Sequence, residues 1–289
     1  MSIIEKAVSK LDQMPRPSES PARNDASIAR ALGREPASAA EPMKTAVSRH
    51  CDINLAKLRE AGMITPEDVK SQIAEEFRII KRPLIMNAFQ GSAAATRNRN
   101  LIMVTSSFPG EGKSFCSINL AISIAMEMDH RVLLVDADVA KPSLPGFLGL
   151  DADRGLLDVL LDSSLSLPEV MIKTNVEKLT VLPAGRGHRH ATELLASEAM
   201  NRLLQDMASR YRDRIIIFDS PPLLATTESR VLAGRVGQIL MVVESEKTTQ
   251  EALRDALQQI QSCELISLLL NKSKAYSGAD YYGYGGYGN

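Results

Sequence analysis

The sequence predicts an α/β protein in which a mostly parallel sheet carries helices on both faces. Three observations point to it. From residue 101 onward, short apolar runs alternate with segments of helical periodicity. The runs IIIF at 215–218 and ISLLL at 266–270 are apolar without alternation, as strands buried on both faces are. Two such runs end directly in aspartate, at the strand ends where an open parallel sheet takes its ligand. The 44% hydrophobic content is enough for a core, and 4% aromatic content with no Trp makes that core aliphatic.

Residues 1 to about 50 read as a disordered tether. Pro15, Pro17, Pro21, Pro36 and Pro42 interrupt a polar Ala/Ser-rich stretch in which only a short helix at 2–11 is expected. A short helix is expected at 53–61, ended by Gly62. Thr65 then looks like an N-cap, with Pro66 as first helical residue and acidic Asp68 behind it. Val69, Ile73, Phe77 and Ile80 follow at helical spacing, and Pro83 is expected to stop the helix. Glu75, Arg78 and Lys81 recur every three residues with Arg82 beside them. They fit either a solvated face laced with ion pairs or a subunit contact.

Residues 101–115, LIMVTSSFPGEGKSF, carry the chemistry. A buried strand runs into a small-residue loop, and Lys113-Ser114 opens a helix at 113–127. Backbone N–H groups of such a loop and the helix N-terminus face an anion, a lysine neutralises phosphate charge, and a hydroxyl ligates Mg²⁺. The nucleotide contacts are therefore expected from Pro109, Gly110, Glu111, Gly112, Lys113, Ser114 and Phe115. Ser107 stands where the general phosphate-loop pattern has its first Gly. The other elements are expected as strands 131–136, 179–183, 214–219, 238–243 and 265–270, and helices 155–161, 192–211, 227–233 and 249–261. This is a P-loop NTPase-like order.

Val135-Asp136-Ala137-Asp138 and Phe218-Asp219-Ser220 put three carboxylates where strands leave the core. A buried carboxylate needs a cation or donors, and Mg²⁺ on a nucleotide supplies the cation. Asp219 suits the metal. Of Asp136 and Asp138, either could bind metal and the other accept a proton from a hydroxyl. Each aspartate alone could equally cap a helix or turn. Asn271 at the end of the last strand could meet an adenine edge or cap a turn.

The last stretch, AYSGADYYGYGGYGN, holds five of the six tyrosines. It cannot build a core, and it lacks the Arg or Lys that nucleic-acid stacking would want. It reads either as a sticky low-complexity tail or as a set of hydroxyl acceptors. With a net charge of -1, no global field favours nucleic acid or an anionic membrane. The three cysteines lie far apart, and Cys116 is expected to be a small buried hydrophobe. No apolar run approaches a bilayer span and no signal-peptide core opens the chain. A reducing cytoplasm is expected, with any membrane association through a partner.

From about residue 70 to the end, the sequence resembles the bacterial tyrosine kinases of capsule and exopolysaccharide systems. SSFPGEGKS (106–114) matches Walker A, LLVDAD (133–138) the family's second Walker motif, and IIIFDSPP (215–222) Walker B. EEFRIIK (75–81) is similar to the family's oligomerisation helix. Ser107 is ordinary there, and IKRPLI (80–85) resembles the cytoplasmic exosortase-associated autokinases. Ala140 with Lys141 and the presence of Glu228 depart from the family's usual Arg and Asp, which bears on interface and regulation.

The resemblance implies an ATP- and Mg²⁺-dependent autokinase acting on Tyr276, Tyr281, Tyr282, Tyr284 and Tyr287. Lys113 would stabilise the transferring charge, Ser114, Asp136 and Asp219 would hold the metal, and Asp138 would help deprotonate the phenol. It further implies ring-like homo-oligomers that phosphorylate in trans through Glu75, Arg78 and Lys81, a separate membrane adaptor, and a tyrosine phosphatase. The implied divisions are a tether (1–50), a helical oligomerisation segment (51–83), a kinase domain (84–271) and an acceptor tail (272–289). The rival reading is a Min/Par-like ATPase that positions a complex. Phe108 weighs against it, because those ATPases carry a second lysine at that place.

Overall fold

The computed structural model describes residues 49–68, 70–89, 98–211 and 213–274. In chain order the elements are β1 (Arg49–His50), α1 (Leu55–Glu60), α2 (Gln72–Phe89), β2 (Leu101–Ser106), α3 (Lys113–Ala125), β3 (Arg131–Asp136), α4 (Leu144–Leu148), α5 (Leu156–Leu161) and α6 (Leu167–Val170). They continue as β4 (Ile172–Lys173), β5 (Leu179–Leu182), α7 (Ala191–Ala196), α8 (Glu198–Arg210), β6 (Arg214–Asp219), α9 (Glu228–Ala233), β7 (Gln238–Glu244), α10 (Gln250–Gln258) and β8 (Ile266–Asn271). The strands form one sheet in the order β1-β4-β5-β3-β6-β2-β7-β8. Only β4 against β5 is antiparallel.

Alternation along each strand builds two cores. Ile102, Val104, Val132, Leu134, Ile215 and Ile217 face one core, which holds α3 and the inner side of α2. Leu101, Met103, Leu133, Val135, Ile216 and Phe218 face the other, with α5, α8 and α9. Both sides being apolar explains the unbroken hydrophobic runs. Cys116 is fully buried in the first core, and burial above all pushes its thiol up to about 12.

Helix α3 joins the front of the molecule to the back. It is buried nearly all round, yet carries Ser117, Asn119 and Ser123. Ser117 turns to Asp219, while Asn119 and the Ser123 carbonyl dock the preceding segment. Asn119 accepts from the Ile64 amide at 2.7 Å and donates to the Phe115 carbonyl at 2.8 Å. The Ser123 carbonyl accepts from Lys81 at 2.6 Å. Farther upstream, Asn175 both accepts from the Ile53 amide and donates to its carbonyl, holding the chain beside β4.

Several expectations are corrected. Arg49 and His50 are an edge strand beside β4 rather than tether. Helix α2 begins at Gln72, not Pro66, because Thr65 and Asp68 bond to each other and to Arg59 instead of capping a helix. Ser71 is the residue whose hydroxyl caps it, through the Ala74 amide. The helix also passes through Pro83 to Phe89. Pro83 withholds an N–H only from Ile79, which is 62% exposed to solvent. Beyond it, the Gln238 side chain accepts from Asn87 and donates to the Leu84 carbonyl.

The expected helix at 192–211 breaks at Ser197, whose extended backbone ends α7 while its hydroxyl caps α8. The carbonyls freed there, those of Leu195, Ala196 and Ser197, are taken by the Arg235 guanidinium. The short elements α4, α6 and β4 carried no periodicity long enough to read. Among the described residues no helix is long and apolar enough to cross a membrane. The expected helix at 2–11 and the tyrosines of the tail lie outside the described residues.

Lys81 is 5% exposed and its ammonium pairs with Glu127 at 2.6 Å besides the Ser123 carbonyl. That hydrogen bond holds the Glu127 carboxyl below its usual range. Replacing Lys81 with alanine should therefore separate α2 from α3 and cost about 1–3 kcal/mol, the worth of a charged hydrogen bond plus lost packing. Urea denaturation would measure it, and an unchanged midpoint would show that this contact is dispensable.

Candidate functional site

The phosphate loop sits between the end of β2, at the centre of the sheet, and the start of α3. Its shape depends on two glycines in the left-handed region, Gly110 (φ 88°) and Gly112 (φ 99°), the latter immediately before α3. A Cβ on Gly112 would lie 2.1 Å from Nδ2 of Asn271. The loop's approach is zipped to the turn after β6. The Ser220, Leu223 and Leu224 amides donate to the carbonyls of Val104, Ser106 and Ser107, and Thr105 donates to the Pro221 carbonyl.

Glu111 is buried and acts as a brace inside the loop. Its carboxylate accepts from the Phe108 amide at 2.9 Å and from the Thr248 hydroxyl. Asn271 donates to the Glu111 carbonyl at 2.8 Å, and Lys272 donates to the Gly110 carbonyl at 2.7 Å. The Asn271 amide thereby holds the loop from the end of the last strand. Phe108, Pro109 and Gly110 face solvent while Phe115 is half-buried.

Register places the carboxylates. Asp136 and Asp219 are direct partners on the adjacent parallel strands β3 and β6, and both are fully buried. One oxygen of Asp136 accepts from the Ser143 and Leu144 amides, each at 3.1 Å, and the other, Oδ1, is buried without a hydrogen-bond partner. Burial first, and Asp219 second, push the Asp136 carboxyl up to about 7. Burial likewise raises Asp219, against the pull of Lys113, Ser114 and Ser117. The Ser117 hydroxyl donates to Asp219 at 3.1 Å. Lys113 pairs with Asp138 at 3.0 Å, and the Lys141 amide donates to the other oxygen of Asp138.

Ser143 was not singled out in the sequence, yet it connects the site. Its hydroxyl lies 2.9 Å from that of Ser114 and 3.4 Å from Asp219, while its amide serves Asp136. Its position just before the Leu144-Pro145 helix start was the available signal, since serine there ordinarily caps. Ser117, one turn along α3 from Lys113, was missed as well, as were Thr248 and Lys272, which reach the site from other segments.

The group set suits a nucleoside triphosphate with a hard cation. The unpartnered Asp136 Oδ1, the Ser114 hydroxyl and Asp219 are oxygen donors of the kind Mg²⁺ takes. Among the described residues no three His, Cys, Asp or Glu side chains form a metal site by themselves. The cation would thus need phosphate oxygens too, as Mg²⁺ in nucleotide sites does.

The sequence-marked residues Lys113, Ser114, Asp136, Asp138 and Asp219 all meet at this edge. Glu75, Arg78 and Lys81 do not. Glu75 and Arg78 pair with each other on the outer side of α2. Lys81 is turned inward to Glu127, so the structure gives it an intramolecular contact in place of the expected subunit contact.

The chain is similar to known proteins over the region that holds this site. A family model described as "AAA domain" matches residues 99–272. Tyrosine-protein kinase YwqD of Bacillus subtilis (strain 168) is 30% identical over 234 residues, which are 80% of this chain and 94% of YwqD. Putative tyrosine-protein kinase EpsB of Ralstonia nicotianae is 38% identical over 162 residues, 56% of this chain but only 21% of EpsB. The chain thus spans most of the first relative and about a fifth of the second. The crystal structure of the chimerical protein CapA2B2 matches with a TM-score of 0.63 at 25% identity, over 86% of this chain and 99% of that one.

Two outcomes are expected. Because folding raises the Asp136 pKa from an unfolded value near 4 to about 7, the folded state holds the extra proton between those values. Stability of the nucleotide- and metal-free protein should therefore fall as pH rises through that window. Asp136→Asn should melt higher than wild type at pH 8 and lose that advantage toward pH 4; parallel melting curves across pH would refute the assignment. Gly112→Ala should cost about 1–2 kcal/mol for the left-handed backbone, besides displacing Asn271 and weakening nucleotide binding by calorimetry.

Proposed function

The chain belongs to the bacterial tyrosine-protein kinases, and we propose that it transfers the γ-phosphoryl group of ATP to tyrosines of its own tail. The observation that carries this reading is where the tail begins. Strand β8 ends on the phosphate loop, with Asn271 and Lys272 bonded to the carbonyls of Glu111 and Gly110. Tyr276, Tyr281, Tyr282, Tyr284 and Tyr287 thus follow directly from the edge where phosphate chemistry would occur.

In this reading the amides from Gly110 to Phe115 cradle the phosphates, with Pro109 shaping the loop before them, and Lys113 leaves Asp138 to neutralise the charge that moves between them. Ser114, Asp136 and Asp219 hold Mg²⁺ directly or through water. Bound ATP and Mg²⁺ supply the phosphoryl group and the positive charge that the buried carboxylates call for. Asp138, released from Lys113, accepts the phenol proton as the tyrosine oxygen becomes the nucleophile. Ser143 keeps Ser114 and Asp219, which would both hold the metal, aligned with each other.

The outer face of α2 is the proposed subunit contact in a ring that phosphorylates in trans. Glu75 and Arg78 lie there beside exposed Ile79, Arg82 and Met86. Lys81 supports that face from behind. A separate membrane adaptor would recruit the protein to the cytoplasmic side of the membrane, and a tyrosine phosphatase would reset the tail. The process served is exopolysaccharide or capsule polymerisation and export, with no nucleic-acid partner.

Wild type, Lys113→Met and a chain ending at Lys274 should be incubated with ATP, Mg²⁺ and adaptor, and phosphotyrosine measured by mass spectrometry. Tail phosphate is expected in wild type alone, and the shortened chain should keep ATP hydrolysis. Asp138→Asn should lower the transfer rate about 10²–10⁴-fold with little change in ATP affinity. A wild-type chain free of phosphotyrosine would falsify the kinase reading.

A further inference from the structure

The opposite end of the sheet from β1 carries a feature the site does not use. Strand β8 is an edge strand, pairing only with β7 among the described residues. Its outer side is apolar where an exposed edge is ordinarily polar. Leu268 is 56% and Leu270 61% exposed. Between β8 and α10 runs a groove of about 780 Å³, with Leu253, Leu257, Ile266 and Leu268 in its walls and Arg254 and Gln258 at its rim. No acidic side chain lines it among the described residues.

We propose that this groove and strand edge dock the unphosphorylated tyrosine tail of the same chain, which adds to β8 as a further strand. Three features select that occupant over another protein. First, the tail is the continuation of β8 itself. Lys272 already turns in the left-handed region, φ 56°, and Lys274 is held to Glu246 at 3.1 Å. Second, residues 272–280 separate β8 from the run Tyr281-Tyr282-Gly283-Tyr284, and Ser277-Gly278 within them is a turn signal. A hairpin needs only about 2–5 loop residues, so the run can fold back along β8. A short flexible connection also gives the tail an effective concentration in the millimolar range, which a tail from another molecule lacks.

The third feature is chemistry. Tyr282 and Tyr284 lie two residues apart and would share one side of an added strand, as Leu268 and Leu270 do on β8. Tyrosine brings an apolar ring and a polar tip, matching apolar walls with amide and guanidinium groups at the rim. Phosphorylation would end the docking. Each phosphotyrosine adds about -1.5 to -2 charge, to be set against apolar walls and the single cation Arg254. The docked tail is then a substrate store that modification empties. That consequence rests on the reading that these tyrosines are the acceptors; the docking itself does not.

Hydrogen exchange tests it on the phosphatase-treated full chain, without ATP, against the chain ending at Lys274. Docking predicts that amides of 250–258 and 266–271 exchange at least tenfold faster once the tail is removed. Leu268→Glu in the full chain should exchange like the shortened chain while keeping its melting temperature. A synthetic 275–289 peptide should restore protection to the shortened chain, and the same peptide phosphorylated at Tyr281, Tyr282 and Tyr284 should bind at least tenfold more weakly. Equal exchange in the full and shortened chains would overturn the docking, as would equal affinity of the two peptides overturn release. Neither measurement uses kinase activity, so a chain that docks its tail but makes no phosphotyrosine would sink the autokinase reading and leave this one standing.

Discussion

Two carboxylates held side by side in the dry interior are the constraint around which this protein is arranged. Parallel register makes Asp136 and Asp219 neighbours on β3 and β6, with no solvent at either. Like charges so placed cannot both ionise without donors or a cation. The surroundings meet that demand in pieces: backbone amides of Ser143 and Leu144 for one, the Ser117 hydroxyl for the other, and Lys113 close enough to lower Asp219. What remains, one unpartnered oxygen of Asp136, is a place for positive charge. A site built this way favours the metal–nucleotide pair over free nucleotide, because the metal completes the electrostatics.

Helix α3 transmits that constraint to the rest of the fold. Its N-terminus forms the phosphate site, while Asn119 and the Ser123 carbonyl bind the segment and helix that precede the sheet. Polar residues in a helix buried all round would be costly unless each had a partner. Asn119 and the Ser123 carbonyl find theirs in upstream elements, so 51–64 and α2 are docked by specific bonds. The outer face of α2, proposed to meet a neighbouring subunit, is thereby rigidly connected to the back of the nucleotide site.

Much of this was legible from residues alone, and the exceptions share a cause. Strands β2, β3, β6 and β7 announce themselves because burial on both faces makes them uniformly apolar, whereas β8 reads the same in sequence although Leu268 and Leu270 are exposed. The phosphate loop and the three aspartates are readable because their chemistry is local in sequence. Lys81 was not, since the same three-residue spacing that suits an exposed face also suits a lysine reaching inward to a carbonyl and a carboxylate. Helix α2 runs through Pro83 because the one N–H it withholds would have served the exposed Ile79, and at the Ser197 break the distant Arg235 takes up the carbonyls of Leu195 and Ala196. Ser143 lies in a stretch too short for periodicity, and its role depends on three groups that only the fold gathers.

The clamp at the end of β8 has a mechanical consequence. Asn271 and Lys272 grip the carbonyls of Glu111 and Gly110, and Lys272 also pairs with Glu244. Tension applied to the C-terminal segment, by a neighbour that captures it or a binding partner that tugs it, passes through the Lys274–Glu246 pair to those two bonds. The phosphate loop is therefore the anchor of a lever whose handle is the C-terminal segment. In the proposed autokinase, pulling on that handle would loosen the loop's grip on nucleotide, so that seizing a tail and releasing product would be parts of one stroke.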